Sequence, residues 1–188
     1  MATAESTVGA ASEFDGPAAD SVPAMVVLQG TANIAGLSST QISGLSSTQV
    51  GGLNAAHFNA LTSTELGYFT TSQLQGLTST EIGALSPTNQ LTGMTSTQLG
   101  FITSTALNGL TTVVAAAISS TTQITGFSST QLGSLETTQL NALGSGNFSQ
   151  LTTVQLKGLS SAQIGGLAVT TAFSGLSSTQ LASLSTTQ

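Results

Sequence analysis

Side chains able to do chemistry are few in this sequence, and they stand far apart. The single histidine, His57, has no acidic residue beside it and no second histidine with which to share a metal, so it reads as a satisfied or solvent-facing side chain. Glu65, Glu81 and Glu136 are too sparse to form a carboxylate pair with any defined spacing. Serines abound, but none lies in a Gly-x-Ser-x-Gly elbow and none has a base beside it. Gly144-Ser145-Gly146 lacks the later glycine and lysine of a phosphate loop and reads as a turn. Asn147-Phe148-Ser149 is formally a glycosylation acceptor. With no cysteine there is no disulfide and no thiolate metal site. The expectation is no catalytic, cofactor-binding or metal-binding residue, and no enzyme.

Charge narrows the partners further. The chain carries one lysine, Lys157, no arginine and a net charge of −6, and nucleic-acid backbone binding depends on Lys and Arg. That class is excluded. The longest apolar run, Val113 to Ile118, falls far short of the roughly twenty residues needed to span a bilayer. Charged residues make up 4% of the chain, against about 25% in ordinary globular proteins. With 39% apolar residues it is nonetheless no disordered polar tract.

What fills the chain is an octapeptide, seen most plainly at 36–51 as GLSSTQIS followed by GLSSTQVG. The order is a small residue, an apolar one, three of Ser or Thr, Gln or Glu, a second apolar residue and a variable one. In the first copy, Leu37 is position 2 and Ile42 position 7. The apolar residues are separated alternately by five and by three. Both spacings are odd, so an uninterrupted strand would throw the two sets onto opposite faces. A single long helix fails as well, because eight residues overshoot two turns and the apolar stripe drifts.

The spacing makes sense if each unit is a separate short helix. Ser38 and Gln41 stand in the S/T-x-x-E/Q relation of a capping box, with the Ser hydroxyl taking the amide of Gln41 and the Gln side chain taking the amide of Ser38. Leu37 and Ile42 then form the two ends of a hydrophobic staple, and Gly44 falls where a helix end favours positive φ. Position 6 is Gln at 41, 49, 73, 98, 131, 155, 163 and 180, and Glu at 65 and 81. Gln and Glu are the two residues a capping box accepts. The predicted fold is a mainly α repeat solenoid built of one-turn helices with Gly corners; a β-solenoid is the alternative.

Residues 1–26 differ, holding Glu5, Glu13, Asp15, Asp20, Pro17 and Pro23. They read as a flexible leader, or as an arm docking on a neighbouring subunit through Val22 to Leu28. Residues 27–188 divide into about twenty units, of which 27–35, 84–92, 117–125 and 166–174 have nine residues. An inserted residue is expected to bulge locally without disturbing the core. The nine-residue units and the degenerate ones at 52, 109, 142 and 166 recur every three or four units, which suggests a coil of that size. One unit cannot stand alone: burying an aliphatic side chain is worth about 1.5–3 kcal/mol, while ordering each backbone residue costs about 1–2 kcal/mol. Stability must come from stacking. The last unit, cut short at Gln188, suggests a longer chain or subunits that stack end to end.

Aromatic residues divide in two. Phe58, Phe148 and Phe173 occupy the second apolar position and Phe69 and Phe127 the first, so they are expected in the core. Tyr68 and Phe101 replace the small corner residue and are candidates for contact between subunits.

The runs GLSSTQISGLSSTQV, GFSSTQLGSL and GLSSTQLASL resemble the Ser/Thr-Gln-rich short repeats of very large bacterial surface proteins, often described as adhesin-like or as haem utilisation or adhesion proteins. The resemblance covers residues 36–188 and carries over no functional residue. It implies a structural or adhesive stalk, extracellular or on the cell surface. With few charges to keep copies apart, the expected function is an extracellular filament, matrix fibre or adhesin stalk formed by self-association. The alternative is a binding module in which rows of Ser and Thr hydroxyls meet ice or a surface glycan.

Overall fold

The computed structural model describes residues 34–119, 121–185 and 188, so the leader 1–26 lies outside the described residues. The fold is mainly helical, with short helices in series and no strand among the described residues. That removes the β alternative there. Most α-helices have four to six residues, as in Ser47–Val50, Ser63–Gly67 and Ser96–Phe101. Short 3-10 turns stand at Leu91–Gly93, Ile124–Gly126 and Phe173–Gly175.

Each helix starts as the unit's sequence dictates. Ser46 is extended (φ −74, ψ 159) and caps Ser47–Val50. Its hydroxyl accepts from the Gln49 amide at 3.2 Å and its own amide donates to Gln49 Oε1 at 2.8 Å. Two otherwise orphaned donors are thereby satisfied within one octapeptide. The two staple residues, Leu45 and Val50, are both buried, and the same pair repeats down the chain into one continuous core.

The corners work differently from the expectation of positive φ. Gly44, Gly51 and Gly166 end their helices in the right-handed region, and Gly144 (φ 75) is the one positive-φ residue among those described. Close approach explains the glycine instead. A Cβ on Gly76 would come within 1.9 Å of the Ser47 carbonyl oxygen, and one on Gly126 within 1.9 Å of that of Ser96. No side chain fits there.

At several corners a non-glycine residue lets the preceding helix run further. Helices ending in Ala60, Ala84, Phe101, Ala117 and Ser134 continue into the first residue of the next unit. Those before Gly76, Gly109 and Gly158 stop at Leu74, Leu107 and Leu156, as the low helix propensity of glycine favours. Gly144 serves its own purpose: it breaks the long helical stretch Thr137–Gln150 into two segments, and the turn expected over Gly144-Ser145-Gly146 is confined to Gly144, with Ser145 and Gly146 helical.

Helices three units apart pack together. Ser47–Val50 lies against Thr71–Leu74, Ala55–Ala60 against Ser79–Ala84, and Ser79–Ala84 against Ser104–Leu107. The nine-residue units keep this register because the extra residue is absorbed ahead of the glutamine. The Ser86 amide donates to Gln90 Oε1 and that of Ser119 to Gln123 Oε1, at 2.8 and 2.9 Å. The spacing is four residues instead of three, and Leu91 and Ile124 still reach the core. In the third such unit Ala172 stands in the place of Gln, and Asn141 Oδ1 accepts from the Ala168 amide at 2.7 Å in its stead.

Candidate functional site

The position-6 glutamine is where the structure adds most to the sequence. Its Oε1 closes the capping box, and its Nε2 reaches out of the unit to two backbone carbonyls that flank an earlier corner. Gln131 Nε2 donates to Leu99 at 2.9 Å and Ile102 at 2.6 Å. Gln98 reaches Leu66 and Phe69, Gln123 reaches Leu91 and Met94, and Gln180 reaches Phe148 and Leu151. Gln188 continues the pattern to Leu156 and Leu159. These partners lie 29 or 32 residues earlier. The two acceptors of each such glutamine stand on either side of an earlier corner, as Leu99 and Ile102 do for Gln131.

The buried glutamines thus satisfy carbonyls that the helix ends leave open. Asn147 does the same in its degenerate unit, donating to Ile118 at 2.9 Å and to Leu143 at 2.8 Å. It is buried, so the apparent glycosylation acceptor is committed to the interior. Sequence reasoning missed this second role of the glutamine, since a capping box already accounted for the residue.

Two of the rungs carry Glu. Glu65 Oε2 accepts from the amide and hydroxyl of Thr62 at 2.7 and 2.9 Å. Glu81 Oε2 does so from Thr78 at 2.6 and 2.9 Å. Glu81 is fully buried, and its other oxygen, Oε1, has no hydrogen-bond partner. Burial pushes the Glu81 carboxyl above the ordinary carboxylate range, and the backbone and hydroxyl bonds from Thr78 oppose that shift.

The remaining polar residues do not converge. His57 is half-buried in Ala55–Ala60, where its amide donates to Asn54 at 2.9 Å. Glu136 occupies the cap of the helix that begins at Thr137, and its amide donates to Gln139 Oε1 at 2.6 Å. Among the described residues, no group of three or more His, Cys, Asp or Glu is placed to hold a metal. None of the described helices is long and apolar enough to cross a membrane.

The outer surface is made of hydroxyls. Positions 3 to 5 of most units face outward, and Thr64, Thr80, Thr97, Thr105 and Thr130 are exposed at position 5. Tyr68 and Phe101 are exposed at their corners, at 42% and 44%. Phe58, Phe69, Phe127 and Phe148 are buried, while Phe173 is half-buried against the core. Comparison with protein-family models, with curated proteins and with solved structures returns no match.

Proposed function

We propose that the chain is a structural protein: its short helices coil into a solenoid, and copies associate into an extracellular bacterial filament, matrix fibre or adhesin stalk. The observation that carries this reading is the glutamine ladder. From Gln73 to Gln188 one side-chain amide makes one kind of contact again and again, and a rung needs only two open carbonyls. Carbonyls of a second copy would serve as well as those of the same chain. The low charge, with one basic and seven acidic residues, gives copies little reason to repel each other. Exposed Tyr68 and Phe101 supply apolar contact area for lateral association. The extracellular setting rests on the resemblance to surface-protein repeats.

Electron cryo-microscopy of the protein at neutral pH, over a range of concentrations, tests this. Regular filaments built of stacked short helices are the expected result. Monodisperse monomers at the highest concentration would overturn it.

The exposed threonines at position 5 favour a second reading, a hydroxyl array that meets ice or a surface glycan. Thermal hysteresis and glycan-array binding measure it directly, and normal ice growth with no glycan bound would remove it.

A further inference from the structure

The Glu81 rung breaks the rule that the glutamines establish. At Gln73 the Nε2 meets the carbonyls of Ile42 and Leu45, 31 and 28 residues earlier. Counting back by the same 31 and 28 residues from Glu81 gives Val50 and Leu53, which flank the corner Gly51-Gly52. Glu81 is held in the glutamine's place by the same two bonds to its cap residue. It therefore presents Oε1 where every buried glutamine presents an N–H donor. A carboxylate oxygen cannot donate, and facing carbonyl oxygens it would be repelled. A neutral carboxyl has one O–H to give.

We infer that Glu81 is held protonated in the folded chain at neutral pH, with its Oε1–H donating to the backbone carbonyls at the 50–53 corner, and that its ionisation as pH rises loosens this joint. The rung becomes a pH-sensitive link in a series built mostly of glutamines, whose amides do not titrate. Its buried, unpartnered Oε1 is the geometric basis, and the upward displacement of its carboxyl by burial agrees in direction. For a group held above its unfolded value, the stabilisation is complete below the unfolded value. It is lost as pH climbs through the folded one.

Other titratable groups nearby are few. The helix Ala55–Ala60 packed against Ser79–Ala84 carries His57, and the helix Ser104–Leu107 on its other side carries none. Glu65 lies two units earlier along the chain.

Two measurements on the full chain test the inference. Thermal unfolding of the wild type and of Glu81→Gln is compared at pH 4 and pH 8, with Glu65→Gln as the matched control. The expected result is equal Tm at pH 4 and a Tm for Glu81→Gln higher by roughly 3–6 °C at pH 8. Infrared spectroscopy of the wild type should show a protonated-carboxyl band at pH 7 that the Glu65→Gln protein keeps. The spectroscopic arm stands even where Glu81→Gln fails to fold. Absence of that band overturns the inference, as does a Tm difference that is the same at both pH values. So would a rise in wild-type Tm at pH 8 on adding sodium or calcium chloride that Glu81→Gln does not share, since the slot would then hold a cation rather than a proton.

Discussion

The side-chain amide of Gln131 donates to the carbonyl oxygen of Ile102 at 2.6 Å, across 29 residues of chain. Its oxygen meanwhile accepts from the Ser128 amide at 2.7 Å, three residues away. One side chain thus joins the local start of a helix to a distant corner, and both ends of the amide are used. A carboxylate keeps the bond from Ser128 and forfeits the one to Ile102.

Replacing Gln131 by Glu should therefore be costly at neutral pH. The expected loss is about 1–3 kcal/mol in urea unfolding, the range for leaving buried polar groups unsatisfied, and it shrinks toward pH 4 as the new carboxyl protonates. The same change at Gln41, which is exposed and bonds to its own cap, should stay within about 0.5 kcal/mol.

The corner glycines should tolerate nothing larger where layers touch. Gly126→Ala puts a methyl group 1.9 Å from the Ser96 carbonyl oxygen, and the backbone must move. Destabilisation of about 1–3 kcal/mol is expected. Gly165→Ala, with no atom within 4 Å of its added Cβ, should leave the urea midpoint unchanged or slightly raised.

Removing a cap should cost less than removing a rung. Thr95→Ala loses the hydroxyl that accepts from the Gln98 amide at 3.2 Å, at an expected cost of about 1 kcal/mol. Gln98→Ala loses the cap partner and the distant bonds to Leu66, Gly67 and Phe69 and should exceed it in the same unfolding series.

Asn147 should carry no glycan when the protein passes through a glycosylating host, because its amide is buried and bonded to Ile118 and Leu143. Mass spectrometry of the Asn147 peptide checks this, and glycan-bearing peptide from folded protein would contradict it.

Tyr68→Ser with Phe101→Ser should weaken association without lowering the unfolding temperature, since both side chains lie outside the core. Sedimentation velocity reads the first effect and thermal unfolding the second.

What the sequence disclosed and what it hid separate by distance along the chain. The pairing of Ser38 with Gln41, or of Leu45 with Val50, is complete within one octapeptide, so residue spacing alone exposes it. The bond from Gln131 to Ile102 depends on which distant corner folding brings beneath it, and no local pattern encodes that. Gln and Glu look equivalent in a capping box, which concealed how differently Glu81 sits from Gln73. Glycine misled in a similar way: its common use at helix ends is positive φ, whereas Gly76 is glycine because the Ser47 carbonyl leaves no room for a methyl group. Asn147 matched a surface motif because the motif takes no account of burial.

The long-range glutamine bonds run one way. Each Nε2 in the ladder donates to a residue made before it, never to one made after. A newly synthesised unit emerging from the ribosome therefore finds its acceptors already in place. Assembly can proceed in the order of translation, each octapeptide settling on finished structure without waiting for the chain to end.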